Sequence, residues 1–304
     1  MRSYSQRQMR RHRDNNIDKP TKVAQTLFAL DADTAQPVCF LTATAARSVT
    51  QATPELLDLA ARILNITPGE SLVLADAEHF SAELIDRIHQ HTGFDLLVPM
   101  PNRRALIQQL ENLPPEQFTP RWAGYATAQQ LYQPVHSQGG PYYQFIQRQG
   151  ERPEDWQFNA FLCTRDGDEA ETLAGDYPKR WHVEEFFNAH QALGWKRAGT
   201  MNLHIRYGQM TMALIAQTVL YQLRTRLGEP FASWEAGHFS KALLQGLDGD
   251  LRVIDDTIIV TYYNAPNVEL LRAHYEHLPR RLQAENIDPR IPWLYNFKLD
   301  FRFR

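Results

Sequence analysis

Two short apolar runs, SLVLAD at 71–76 and FDLLVPM at 94–100, enclose the stretch SAELIDRIHQH at 81–91, which Gly93 brings to a stop. The enclosed stretch has helical periodicity, and a glycine just past its end is the residue that tolerates the left-handed turn closing a helix. Strand, helix and strand in that order point to an α/β sheet. Pro68 and Gly69 supply the turn ahead of the first run, and that run closes on Asp76.

The preceding segment reads as strand, strand, helix. VAQTLFALDAD and PVCFLTATA are β-rich and joined through the turn-like ADTAQ, which predicts a hairpin over 23–44. TPELLDLAARILN follows with apolar residues at helical spacing, Thr53 as the expected cap and Pro54 in the expected first turn. From about 100 to 165 prolines punctuate aromatic-rich runs such as PYYQFIQRQ and WQFNAFLCT, predicting further, mostly antiparallel strands. The chain then reads as helical to about 246, followed by the strand-like DTIIVTYY, a helix at about 267–284, and NFKLDFRFR. In that last segment Phe297, Leu299, Phe301 and Phe303 alternate with charged residues, the pattern of a half-buried strand. Asp255 and Asp256 read as strand-flanking charges.

With 304 residues, 43% of them apolar, the chain has ample material for a buried core. Cys39 and Cys163 form no ligand or disulfide framework, which suits a reducing cytoplasm. No stretch approaches the roughly 18 apolar residues of a membrane span, and the N-terminus lacks the apolar region of a secretory signal. The most apolar window, MTMALIAQTVLYQL at 210–223, is read as a core helix.

A net charge of −3 does not advertise a polyanionic partner, so any nucleic-acid surface must be local. The first 22 residues are a candidate, with five arginines and two lysines against Asp14 and Asp18. They read either as a solvated tail or as a phosphate-contacting arm.

The segment DYPKRWHVEEFF at 176–187 reads as the start of a helix, with Asp176 as N-cap and Pro178 in the first turn. At about 100° per residue, Tyr177, Arg180, Glu184 and Gln191 fall within roughly 60° of arc. Spacing alone leaves open a plain polar face with an Arg180 to Glu184 ion pair. Asp76 by itself reads equally as a helix cap. The histidines, among them His79, His89, His91, His182, His190 and His204, show no metal-ligand spacing and read as supporting or solvated groups. VHSQGGPYY lacks the strand, glycine pattern and helix of a phosphate-binding loop.

YPKRWHVEEFF resembles the Tyr-x-x-Arg-x-x-x-Glu signature of bacterial insertion-sequence transposases with an RNase H-like DDE catalytic core. SLVLADAEHFSAELIDRIHQHTGFDLLVPMPN is similar to the second-aspartate segment of that family. The likeness runs from about 23 to 227 and is most specific over the Tyr, Arg and Glu stretch. It implies an α/β, RNase H-like mixed sheet flanked by helices, a β-rich insertion at 100–165 and a helical and strand extension at 228–304, with 1–22 as a separate basic segment.

The resemblance makes Asp76 the second acidic ligand and Glu184 the third, with Tyr177 and Arg180 on DNA phosphates near the cleaved end. The family's lysine seven residues past the glutamate is here Gln191, which leaves Lys196 and Arg197 as substitutes for that contact. The cofactor implied is Mg²⁺, with Mn²⁺ in its place, since hard oxygen ligands suit both. The implied partner is double-stranded DNA, both transposon ends and target, held by a homodimer on paired ends, in the cytoplasm.

A DDE site needs a third acid, which the family carries on a strand ahead of the hairpin. Upstream of Val23 no aspartate follows an apolar run, and Asp31, at the end of TLFALD, reads more readily as a turn residue. The expectation is a reading frame that begins inside a longer transposase, with its first ligand upstream of Met1. Two rivals stand beside an active transposase: a non-catalytic DNA-binding remnant, and a metal-dependent nuclease of the same fold.

Overall fold

The structure is a computed structural model that describes residues 24–44, 47–192, 203–244, 248–265 and 267–304. The chain divides into two compact units, one of residues 1–187 and 198–211, the other of 188–197 and 212–304.

The first unit opens with the expected hairpin, β1 (Ala24–Leu30) against β2 (Pro37–Thr44), antiparallel. Helix α1 (Val49–Leu64) starts four residues before the expected cap, because Ser48 and Gln51 form a reciprocal capping box. Thr53 lies inside the helix, its hydroxyl donating to Val49 O at 2.8 Å, and Pro54 is an interior residue. The strand, helix, strand unit is present as β3 (Leu72–Leu74), α2 (Ala82–His91) and β4 (Asp95–Pro99), and β3 and β4 pair parallel. Helix α3 (Arg104–Glu111), which the proline-rich texture concealed, precedes β5 (Thr119–Trp122), β6 (Tyr125–Tyr132), β7 (Tyr142–Gln149) and β8 (Gln157–Cys163).

These strands form one six-stranded mixed sheet in the order β3-β4-β8-β7-β6-β5, antiparallel everywhere except at β3 and β4. Successive side chains on a strand point to opposite faces, and the core divides accordingly. Leu96, Val98, Ile146, Ala160 and Leu162 pack on one face in the cluster that includes Leu56 and Leu57 of α1 and Leu84, Ile85 and Ile88 of α2. Leu97, Phe145, Phe161 and Cys163 pack on the other with Leu173 and Tyr177. Helical segments therefore cover both faces, the mixed α/β arrangement expected of an RNase H-like sheet.

The VHSQGGPYY segment serves the fold. Asp86 of α2, 9% exposed, accepts from Ser137 Oγ at 2.6 Å, Gln138 N at 2.7 Å and Tyr142 Oη at 2.7 Å, which ties the β6–β7 connection to the helix. A Cβ at Gly139 would lie 2.8 Å from Asp86 Oδ1 and 2.9 Å from Gln90 Nε2, so a side chain there would displace the groups that bind Asp86.

After β8 the chain turns helical at Glu169, earlier than Asp176. Asp168 is the N-cap, accepting from Glu171 N at 2.8 Å, and α4 (Glu169–Glu171) runs through a π-turn at Thr172–Asp176 and a 3₁₀ turn at Tyr177–Trp181 into α5 (His182–Ala192). Asp176 has helical backbone angles and caps nothing. Helix α6 spans Leu203–Leu227, and no described helix is long and apolar enough to cross a membrane. The expected core helix at 210–223 is only partly buried. Met210 is 2% exposed, but Met212, Ile215 and Val219 are 65%, 51% and 58% exposed, because apolar residues surround the helix and only part of its circumference is covered.

In the second unit α7 (Ala236–Phe239) packs Phe239 with Leu227, Phe231 and Leu243. A three-stranded sheet follows, β9 (Asp248–Ile254) and β10 (Thr257–Asn264) joined by a turn at Asp255 and Asp256, and later β11 (Lys298–Phe303) pairing parallel with β10. The helix expected at 267–284 is two, α8 (Val268–Tyr275) and α9 (Leu278–Ala284). His277 between them takes φ 54, outside the right-handed helical range, and Pro279 sits in the first turn of α9, where its missing N–H costs nothing.

Candidate active site

Strand β3 carries the chain to Ala75, whose N–H still bonds Leu97 O at 3.0 Å, and Asp76 is the first residue beyond the ladder. Its Oδ1 caps the short 3₁₀ turn at Ala77–His79, accepting from Glu78 N at 3.0 Å, and lies 2.8 Å from His79 Nδ1. The hydrogen bond to His79 is the main influence holding this carboxyl below the ordinary aspartate range, with Glu78 N–H and the positive charge of Arg180 acting in the same sense against partial burial. Asp76 is therefore an anion at neutral pH, and its side chain is 52% exposed.

Tyr177, Arg180 and Glu184 do share a stripe, by a route that α-helical spacing did not anticipate. Tyr177 and Arg180 belong to the 3₁₀ turn, where residues three apart eclipse, and Arg180 and Glu184 are then related by an ordinary i,i+4 step. Arg180 Nη2 donates to Glu184 Oε1 at 3.1 Å, and the guanidinium carbon stands 5.9 Å from the Tyr177 ring centre. Tyr177 packs edge-on against Phe161 at 4.7 Å between centroids, so its ring anchors the stripe to the sheet. Burial pushes its phenol above the usual value, an effect that the Asp76 charge adds to and Arg180 opposes.

Arg180 is ion-paired to Glu184 and lines the same cavity as Asp76, whose anionic form its charge favours. The Arg180 side chain is 23% exposed and that of Glu184 42%. Lys179 points elsewhere, to Asp33 at 2.8 Å and Asp176 at 3.3 Å, and His182 Nδ1 lies 2.8 Å from Ala32 O. Asp31 has a turn residue's bonds, its Oδ1 accepting from Thr34 N at 2.8 Å and Thr34 Oγ1 at 2.6 Å. Lys196 and Arg197 lie outside the described residues, as does the basic segment at 1–22.

His79 is the contact that reading by spacing passed over. Its i,i+3 relation to Asp76 across a cap was the available signal. Two half-exposed carboxylates, Asp76 held anionic and Glu184 paired with a guanidinium, can offer hard oxygen ligands to a divalent cation or, with Arg180, a surface for phosphate. Among the described residues no group of three or more His, Cys, Asp or Glu side chains is placed to hold a metal.

The chain matches the family model of the transposase DDE domain over residues 7–219, more than half its length, and belongs to that family. DDE transposases act on DNA and generally use divalent metal ions, which places the chain in that enzyme class. Comparison with curated proteins gave no match.

Proposed function

We propose that this chain is the catalytic portion of an insertion-sequence transposase that cleaves and joins DNA, with Asp76 and Glu184 as the second and third acidic ligands of a cation site. The observation that carries the reading is the Arg180 link, an ion pair to one acid and a charge felt by the other. Asp76 and Glu184 would hold Mg²⁺ or Mn²⁺, which when bound would supply activation of a water or 3′ hydroxyl and stabilisation of the leaving oxygen.

The residues themselves do the positioning. Asp76 and Glu184 give anionic oxygen at the end of β3 and on α5, while Arg180 offers planar donors that a phosphate can take from Glu184. Tyr177, its ring packed against Phe161 and 5.9 Å from the Arg180 guanidinium carbon, supplies a hydroxyl for the same phosphate. Lys196 and Arg197 take the further phosphate contact, residues 23–227 form the core around the insertion at 100–165, and the active form is a homodimer on paired ends.

The test is nicking of supercoiled plasmid and recovery of strand-transfer joints, each measured with and without Mg²⁺ or Mn²⁺. The reading expects metal-dependent products that vanish in Asp76→Ala and in Glu184→Ala. Products unaffected by either change would refute it, and nicking without joints would select the nuclease. A second reading, a DNA-binding remnant, is favoured by the lack of a three-carboxylate group among the described residues. Salt-dependent DNA binding with no metal-dependent nicking would select it.

A further inference from the structure

Strand β9 is the outer strand of the three-stranded sheet in the second unit, and among the described residues it is laddered only to β10. Lys298 N bonds Asp256 O at 2.8 Å and Arg304 N bonds Tyr262 O at 2.9 Å, so the even-numbered residues of β10 turn their backbone groups to β11 and the odd-numbered ones turn theirs to β9. Opposite Thr257, Ile259 and Thr261 stand Ile254, Arg252 and Asp250, whose backbone groups that ladder uses. Leu251 and Val253 therefore turn N–H and C=O to the open side, and their side chains are 72% and 63% exposed.

We infer that this edge pairs with the same edge of a second copy of the chain, antiparallel about a two-fold axis at Leu251. That register uses all seven residues of β9 and sets Leu251 opposite Leu251 of the partner subunit. It also sets Asp250 opposite Arg252 of the partner subunit, once on each side of the axis, the opposite-charge pairing that supports a ladder. Moving the axis one residue either way shortens the overlap and faces Asp250 with Asp250, or Arg252 with Arg252. Asp250 is held for this role by Tyr263 Oη at 2.5 Å and by Arg252 of its own strand at 3.0 Å, while the Arg252 side chain is 64% exposed and free to reach across. Two three-stranded sheets become one of six, an isologous form of β-addition.

The rest of the chain fits the edge less well. Residues 245–247 join Leu244 to Asp248 and, at no more than about 3.6 Å per residue, are too few to turn and lie along β9; 45–46 and 266 are shorter still. Residues 1–23 contain no two apolar residues in i,i+2 alternation to cover Leu251 and Val253. Residues 193–202 contain one such pair, Leu193 and Trp195, with a glycine between them and Lys196 and Arg197 directly after.

The inference goes beyond the cation reading and does not rest on it, since it is measured on the full chain without metal or DNA. The axis places residue 251 opposite itself at about 5.5 Å between Cα atoms, within disulfide range. Under diamide, Leu251→Cys should form a disulfide-linked dimer, and Val253→Cys, about 13 Å along the strand from its counterpart, should form about tenfold less. Cys39 and Cys163 are buried and do not compete. In the Leu251→Cys chain, Asp250→Arg or Arg252→Asp sets like charges opposite each other and should cut the yield about tenfold. Mixing these two variants restores opposite charges on both sides of the axis and should restore the yield, which also shows that both are folded. No cross-link at 251, equal yields at 251 and 253, or a mixture no better than its components would overturn it. Plasmid nicking is read separately: metal-dependent nicking without the cross-link would sink this contact alone, and the cross-link without nicking would sink the cation reading alone.

Discussion

Arg180 Nη2 holds Glu184 Oε1 at 3.1 Å across one helical turn, and the same guanidinium lies close enough to Asp76 to stabilise its charge. A cation of the protein's own thus sits where the proposal places phosphate and metal, which makes Arg180 a group that must exchange partners when DNA arrives.

Arg180→Ala should weaken DNA binding by a similar factor on every sequence and reduce the dependence of log K on log salt by about 1, as expected for one lost phosphate contact. Arg180→Lys should recover the charge but not the planar fork, and so only part of the affinity. Fluorescence anisotropy on a labelled duplex across a salt series measures both. A slope equal to that of the unaltered protein would place Arg180 away from phosphate.

Asp76 should titrate below an ordinary aspartate, followed by its side-chain carboxyl ¹³C shift. Its folded value is depressed, so the stability it contributes is present above the unfolded pKa and is lost as pH falls through the folded one. His79→Ala removes the main cause and should raise the Asp76 value, so that this contribution disappears at a higher pH. Arg180→Gln should move it in the same direction. An unmoved Asp76 titration in His79→Ala would contradict the geometry given above.

Asp86 is the acid whose loss should cost stability without touching chemistry. Burial opposes its charge, but hydrogen bonds from Ser137, Tyr142 and the backbone of Gln138 and Gly139 outweigh that and hold the carboxyl low. Asp86→Ala leaves the Tyr142 hydroxyl, in a residue 3% exposed, without its acceptor and should destabilise the fold by roughly 2–4 kcal/mol in urea unfolding. A change below about 0.5 kcal/mol would mean that the β6–β7 connection is held by other contacts.

Cys39 and Cys163 should resist Ellman's reagent in the native protein. Burial pushes both thiols up to about 11, and their exposures are 7% and 1%. Because the thiolate is the reactive form, both should react only after denaturation. Rapid reaction of either in the native state would place it at the surface.

The parts of the fold that could be read from the sequence are those where one local signal decides. Gly93 and the two apolar runs define β3, α2 and β4 without ambiguity, and the Tyr177, Arg180 and Glu184 stripe survives because a 3₁₀ turn aligns i with i+3 as well as an α-helix does. The misplaced helix starts have a common origin. Thr53 and Asp176 are good capping residues in isolation, but the capping box of Ser48 with Gln51 and the cap at Asp168 lie upstream and had already begun each helix. Strand β9 was hidden because Leu251 and Val253 are 72% and 63% exposed and its sequence, DGDLRVI, mixes charged and apolar residues without a buried face to mark it. The bond of Asp76 to His79 is local and lay within reach of an i,i+3 reading, whereas the influence of Arg180 on Asp76 depends on how segments about a hundred residues apart meet, and spacing does not encode that.

The claim that Asp76 and Glu184 share one divalent cation is tested most directly by iron-directed backbone cleavage. Fe²⁺ replaces the native ion, ascorbate and peroxide generate hydroxyl radical at the bound metal, and the cut sites are mapped by mass spectrometry. The account predicts cuts clustered at both 74–78 and 182–186, suppressed by excess Mg²⁺ and lost together in Asp76→Ala and in Glu184→Ala. Cleavage at one segment alone, or at neither, would contradict it.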